Sequence, residues 1–242
     1  MADYGFRARN GSNEIQIDST YKNFALRDKG VITASAGWFH GNFRQANAYT
    51  ARNAGIVAFR SNGAATLYGM SPSGSGMSLN FLGYQPGGTP VTIWWYVFDE
   101  PIEASIPSGE RYGMIVKNAS GVKTFDSRID YMRTADFWSG TANDIPSTSS
   151  GLPPNFALRV YPGITPAIIQ GNMCNSQTEV PIGVGPGVQF MQFRMWQMAK
   201  QDGGTIGQTI CVEDFGPNST PSNWPDIRRA QFSSTVIDVT GL

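Results

Sequence analysis

Histidine is nearly missing: His40 is the only one among 242 residues. That excludes a multi-histidine metal centre. Any Ser-His-Asp triad would rest on His40 in WFHGNFRQ, and no G-x-S-x-G elbow is present to supply the serine. Cysteine is almost as scarce. Cys174 and Cys211 stand far apart without CxxC spacing, so they read as reduced core thiols, with a disulfide between them as the alternative. Charge is thin and balanced, 18 basic against 18 acidic residues, with no basic stripe. A sequence-independent nucleic-acid binder needs such a field, so no nucleic-acid partner is expected. The longest apolar run, VTIWWYVF at 91–98, falls far short of the roughly 20 residues that cross a bilayer, so no membrane insertion is expected. The opening MADYGFRARN has no apolar signal core, which predicts synthesis in a cytoplasm. The sequons at Asn10, Asn118 and Asn218 are discounted for the same reason. GVGPGVQ and GMSPSGSG are glycine-rich but lack the lysine of a phosphate loop, and no cofactor is expected.

Glycine and proline are plentiful, 28 and 15 residues, and leave little room for helices. With 40% apolar and 12% aromatic residues there is material for a core, which argues against disorder. Short β-branched and aromatic runs between turn clusters predict an all-β chain. Strand candidates lie at 30–39, 55–61, 77–84, 91–98, 156–162, 164–171, 187–199 and 232–240. The run at 91–98 is β-branched or aromatic throughout, which predicts a strand covered on both faces. Turn clusters at 71–76 and 216–226 and a long loop at 141–155 separate these strands.

One sixteen-residue stretch occurs twice. YGFRARNGSNEIQIDS at 4–19 returns as YGMIVKNASGVKTFDS at 112–127, sharing Tyr, Gly, Asn, Ser, Asp and Ser. Each copy reads as a β-hairpin. Phe6 and Ala8 lead into Asn10-Gly11-Ser12-Asn13 and out through Ile15 and Ile17. Met114 and Val116 lead into Asn118-Ala119-Ser120-Gly121 and out through Val122, Thr124 and Phe125. Asn and Gly tolerate the positive φ that such turns require. Asp18-Ser19 and Asp126-Ser127 close the two strands, where their side chains suit the next turn's backbone N–H groups. The expectation is all-β, with two β-sandwich-like units each opened by the repeated hairpin. Residues 1–107 form the first, and residues 108–242, with long Ser/Pro/Gly loops, the second.

Paired carboxylates could serve a polysaccharide-degrading enzyme. Asp99-Glu100 and Glu213-Asp214 are the candidates, with Asp136 a further one, but neighbours on a strand point to opposite faces and neither pair converges by itself. Solvated strand ends are the expected role. The aromatics Trp38, Phe137, Trp138 and Trp224 and the lone His40 lie in or beside polar, glycine-rich segments. Aromatic faces near Asn, Asp and Arg build carbohydrate-contacting loops, which makes Trp38, His40, Trp138 and Trp224 candidates for receptor or partner contact, with core packing the alternative. No catalytic, cofactor-binding or metal-binding residue is assigned.

The YGxxxxNxSGxxxxDS pattern, with Asn13 in place of its second glycine in the first copy, runs there into Tyr21-Lys22-Asn23-Phe24-Ala25-Leu26. IWWYVFDEP follows, and then YGMIVKN…FDSR with Tyr131-Met132-Arg133. In this order the chain resembles small tail-tip and baseplate proteins of long-tailed bacteriophages, over about residues 4–133. The resemblance implies a non-enzymatic virion tail component, made in the host bacterial cytoplasm and acting in assembly and host adsorption. It implies other phage tail proteins as partners, a homo-oligomer with a trimer favoured over six-fold geometry, and contact with a host surface receptor. A receptor-binding module for a host glycan or pilus is the second reading, motivated by the divergent second half.

Overall fold

The computed structural model describes residues 7–9, 15–18, 23–37, 42–50, 55–101, 104, 106, 112–148, 154–173, 175–182, 189–218 and 227–242. The first hairpin pairs β1 (Arg7–Arg9) with β2 (Ile15–Asp18). Six longer strands follow: β3 (Ala25–Ala34), β4 (Phe43–Thr50), β5 (Ile56–Ser61), β6 (Ala64–Ser73), β7 (Gly76–Tyr84) and β8 (Val91–Asp99). The second hairpin pairs β9 (Ile115–Lys117) with β10 (Lys123–Asp126). Beyond it come β11 (Arg133–Thr141), β12 (Ser147–Thr148), β13 (Ala157–Val160), β14 (Pro166–Gln170) and β15 (Asn175–Ile182). The chain ends through β16 (Gln189–Asp202), β17 (Thr205–Asn218), β18 (Ile227–Arg229) and β19 (Gln231–Asp238). Among the described residues there is no α-helix, and the all-β class expected from composition is the one found.

Two large sheets carry the molecule. One has six strands in the order β11-β19-β14-β5-β8-β3. The other has nine, with β12-β17-β16-β6-β7-β4 along its path, β13 also on β17, and β15 bridging β16 and β18. The halves 1–107 and 108–242 do not divide between these sheets. Each half supplies three strands to the six-stranded sheet, and β6 of the first half pairs with β16 of the second in the other.

The halves repeat one topology. In the first, β3, β8 and β5 lie edge to centre in one sheet, and β4, β7 and β6 do so in the other. In the second, β11, β19 and β14 match the former set, and β13, β17 and β16 match the latter. Registers agree in detail. Arg7, Ala8 and Arg9 face Asp18, Ile17 and Ile15, while Ile115, Val116 and Lys117 face Asp126, Phe125 and Lys123, with the bulge at the same place. In the strand after each hairpin the register skips the eighth residue beyond the motif's last serine, Arg27 in β3 and Ala135 in β11. The turns after β6 and β16 centre on Gly74 (φ 61°) and Gly203 (φ 54°), left-handed conformations that glycine adopts without strain. The copies meet where each strand lies antiparallel to its own counterpart, β5 with β14 through Phe59–Ile168 and β6 with β16 through Ala65–Ala199. That is the arrangement a two-fold axis between the halves requires. The chain is an internal duplication folded about a pseudo-two-fold, with β12, β15 and β18 as additions to the second half.

Alternation packs the sandwich. Phe59, Val91, Ile93, Trp95, Val97, Ile168, Phe232 and Val236 from the six-stranded sheet meet Leu79, Phe81, Ala199, Ile206 and Ile210 from the other in one core shared by both halves. The outer faces are apolar too. Ala58, Tyr96, Phe98, Ala167 and Ile237 form a buried cluster on the six-stranded sheet, with Leu26 and Met132 against it. β8 lies between β3 and β5, and Trp95 to Phe98 are all buried, so the strand expected to be covered on both faces is. Over the same end, the segments leading out of the hairpins pair with each other. Leu26 N donates to Asp130 O (2.7 Å) and Met132 N to Phe24 O (2.8 Å).

Candidate functional site

The second hairpin shows what the repeated motif builds. Asn118 Oδ1 accepts from the backbone N–H groups of Ser120 (3.0 Å) and Val122 (2.9 Å), fixing the turn, and Gly121 takes the positive φ of 77°. At the other end Ser127 Oγ accepts from Met114 N at 2.8 Å. The Asp126 carboxylate is fully buried and accepts from Arg128 Nε (2.8 Å), Nη2 (2.7 Å) and N (3.2 Å). The Arg128 hydrogen bonds hold its pKa down at about 2 against the opposing effect of burial. Asn118 therefore closes the turn, and Asp126 and Ser127 close the strand end: Asp126 meets the next turn at Arg128 N, as expected, while Ser127 reaches back across the hairpin to Met114. Tyr112 and Met114, just before β9, and Ile115 within it are exposed.

Of the four contact candidates, Trp38, His40 and Trp224 lie outside the described residues. Trp138 is 6% exposed and belongs to the shared core. Its ring packs edge-on against Phe232 at 6.2 Å, and Arg159 lies over it at 4.7 Å. It faces the core because it sits at an inward position of β11, so its burial matches the core-packing alternative. Its neighbour Phe137, at an outward position, is the exposed aromatic, at 59%. Cys211 is a buried free thiol whose pKa burial pushes up, and Cys174 lies outside the described residues.

Asp99, Asp136 and Glu213 are engaged separately, and Glu213, buried within β17, is not the solvated strand end expected of it. Asp99 pairs with Arg27, and its other oxygen accepts from Glu100 N at 2.8 Å. Asp136 Oδ2 accepts from Arg159 Nη1 (2.7 Å) and Tyr161 OH (2.8 Å), which lower its pKa, with Tyr161 the larger influence. Burial, helped by that hydrogen bond, pushes the Tyr161 hydroxyl up to about 12. This cluster ties β11, an edge of one sheet, to the β13 strand of the other. Glu213 is buried and accepts from Trp196 Nε1 at 3.4 Å. Among the described residues no group of three or more His, Cys, Asp or Glu is placed to hold a metal ion.

Among the described residues a concave surface lies elsewhere, on the outer face of the nine-stranded sheet. Cross-strand register puts Leu158, Gly207 and Lys200 in one row across β13, β17 and β16. With Phe156, Asp202 and Thr205 they line a cleft of about 330 Å³. A second cleft of about 230 Å³ adjoins it through Phe156 and Lys200 and extends to Asn62, Gly63, Tyr84 and Gln85 of the first half. Gly207 shapes the floor: a Cβ there would stand 2.8 Å from Phe156 Cβ and 2.9 Å from Leu158 Cδ2. Sequence reading missed these residues because they are far apart in the chain, and only strand register assembles them. The partial signal was the strand at 156–162, where apolar Phe156, Leu158 and Val160 alternate with Ala157 and Arg159.

Comparison with protein-family models, curated proteins and solved structures returned no match.

Proposed function

We propose that this chain is a structural component of a long-tailed bacteriophage tail, at the tip or baseplate, acting in virion assembly and host adsorption without catalysing a reaction. The observation that carries the reading is the ordered motif set, in which both hairpins reappear with one register. In the second copy the shared Asn118, Asp126 and Ser127 are spent on a turn and a strand end, as a framework requires and an active site does not. Exposed Tyr112, Met114 and Ile115 on the second hairpin offer apolar surface to neighbouring subunits. The partners are other tail proteins and further copies of the chain, with a trimer the favoured state, and the place of action is the virion. Mass spectrometry of purified particles should find the protein, and sedimentation should give a species larger than a monomer. Absence from particles together with a clean monomer overturns the assignment.

The second reading, a receptor-binding module for a host surface glycan or pilus, draws on the second half. β15, β18 and the cleft residues are its departures from the duplicated frame.

A further inference from the structure

The internal duplication supplies its own control for the cleft. By strand register, Leu158, Gly207, Lys200 and Asp202 stand where the first half has Tyr49, Ser78, Ser71 and Ser73, and Phe156 stands where it has Asn47. One backbone arrangement is thus built with either set, so the fold does not demand the second. The second half replaces two hydroxyls by an ammonium and a carboxylate on the same strand face. It also removes a side chain at Gly207, under Phe156 and Leu158. Neither Lys200 nor Asp202 has a side-chain hydrogen-bond or ion-pair partner among the described residues.

We propose that this cleft is a saccharide-binding site running across the junction of the two halves. A pyranose offers an apolar C–H face and a rim of hydroxyls. Phe156 and Leu158 match the first, while Lys200 donates to and Asp202 accepts from the second. Opposite charges side by side select a ligand of little net charge. The volume of about 330 Å³ is at the small end of small-molecule sites, which begin at roughly 300 Å³. The adjoining cleft, with the amides of Asn62 and Gln85, extends it for a second sugar. Taking the ligand from a bacterial surface rests on the tail reading above; the cleft chemistry does not.

The test presents the intact protein to purified O-antigen and capsular oligosaccharides, with affinity measured by calorimetry. The expected result is binding of at least one oligosaccharide, weakened tenfold or more in Lys200→Ser/Asp202→Ser. That variant installs the residues the first half already carries, so its melting temperature should stay within a few degrees of the parent. A second variant, Phe156→Asn, should weaken binding to a similar degree. Absence of binding across the panel, or binding by the double-serine variant within twofold of the parent, overturns the site. The particle content of the protein is scored separately. Its absence from particles counts against the tail assignment and leaves the affinity result standing.

Discussion

Asp126 is fully covered, yet Arg128 supplies it with a two-pronged set of hydrogen bonds and Lys123 stands 3.6 Å away. A buried carboxylate so partnered stabilises the fold as the anion. Asp126→Ala should therefore cost about 1.5–3 kcal/mol near neutral pH, the range for hydrogen bonds to charged groups, as read by urea denaturation. Because the folded pKa of about 2 lies below the unfolded value near 3.8, the contribution is present above pH 4. It is lost as pH falls through 2, so the stability gap between parent and variant should close over that interval. A gap that persists unchanged at pH 2 would show that charge is not its source. Gly30 tests packing in the same way. A Cβ there would lie 2.6 Å from Trp95 Cζ2, so Gly30→Ala displaces a core tryptophan and should cost about 1–3 kcal/mol, with altered tryptophan fluorescence. Trp138→Ala should cost about 3–5 kcal/mol because it empties core volume beside Phe232. An adsorption defect in that variant would report lost folding, and melting temperature is the measurement that separates the two.

Among the described residues β9 and β10 pair only with each other, and the lead-out joins the body where residues 130–132 meet 24–26. A two-stranded hairpin has little stability of its own, so its turn matters more than a turn between central strands. Asn118 holds two backbone N–H groups at once. Asn118→Ala should raise amide exchange throughout β9 and β10 while leaving protection in β8 and β19 unchanged, since those strands sit inside the six-stranded sheet. Equal acceleration in all four strands would mean that the hairpin opens only with the whole protein.

The molecule as a whole behaves as a dimer of two halves within one chain. Phe59 on β5 and Ile168 on β14 face each other across the pseudo-two-fold, and the core draws side chains from both halves. Among the described residues every core cluster draws on both halves, so neither half should fold alone. Expressed separately, residues 1–107 and 108–242 should each be unfolded by circular dichroism, and co-expressed they should purify as a one-to-one complex. A folded, soluble 1–107 alone would mean that the halves are independent domains. The intact chain should unfold in one cooperative transition for the same reason.

Local patterning was enough to determine the all-β class, the hairpins and most of the inner strands. Turn chemistry at Asn118-Ala119-Ser120-Gly121 and the β-branched run at 91–98 act over a few residues, and any fold must accommodate them. Less was legible where strand identity depends on neighbours. β4 and β11 are polar edge strands, each with one strand partner; β6 and β17 match none of the strand candidates and run into stretches, at 71–73 and 216–218, that read as turns. The repeat also marked two units without showing that they join edge to edge into shared sheets. Pairing of β5 with β14 and β6 with β16 is decided by apolar faces that neither half can bury alone, a contact between residues more than a hundred positions apart. The cleft has the same origin. Phe156, Lys200, Asp202 and Gly207 are unremarkable in their own strands, and they become a site only because antiparallel register places them side by side on one sheet face.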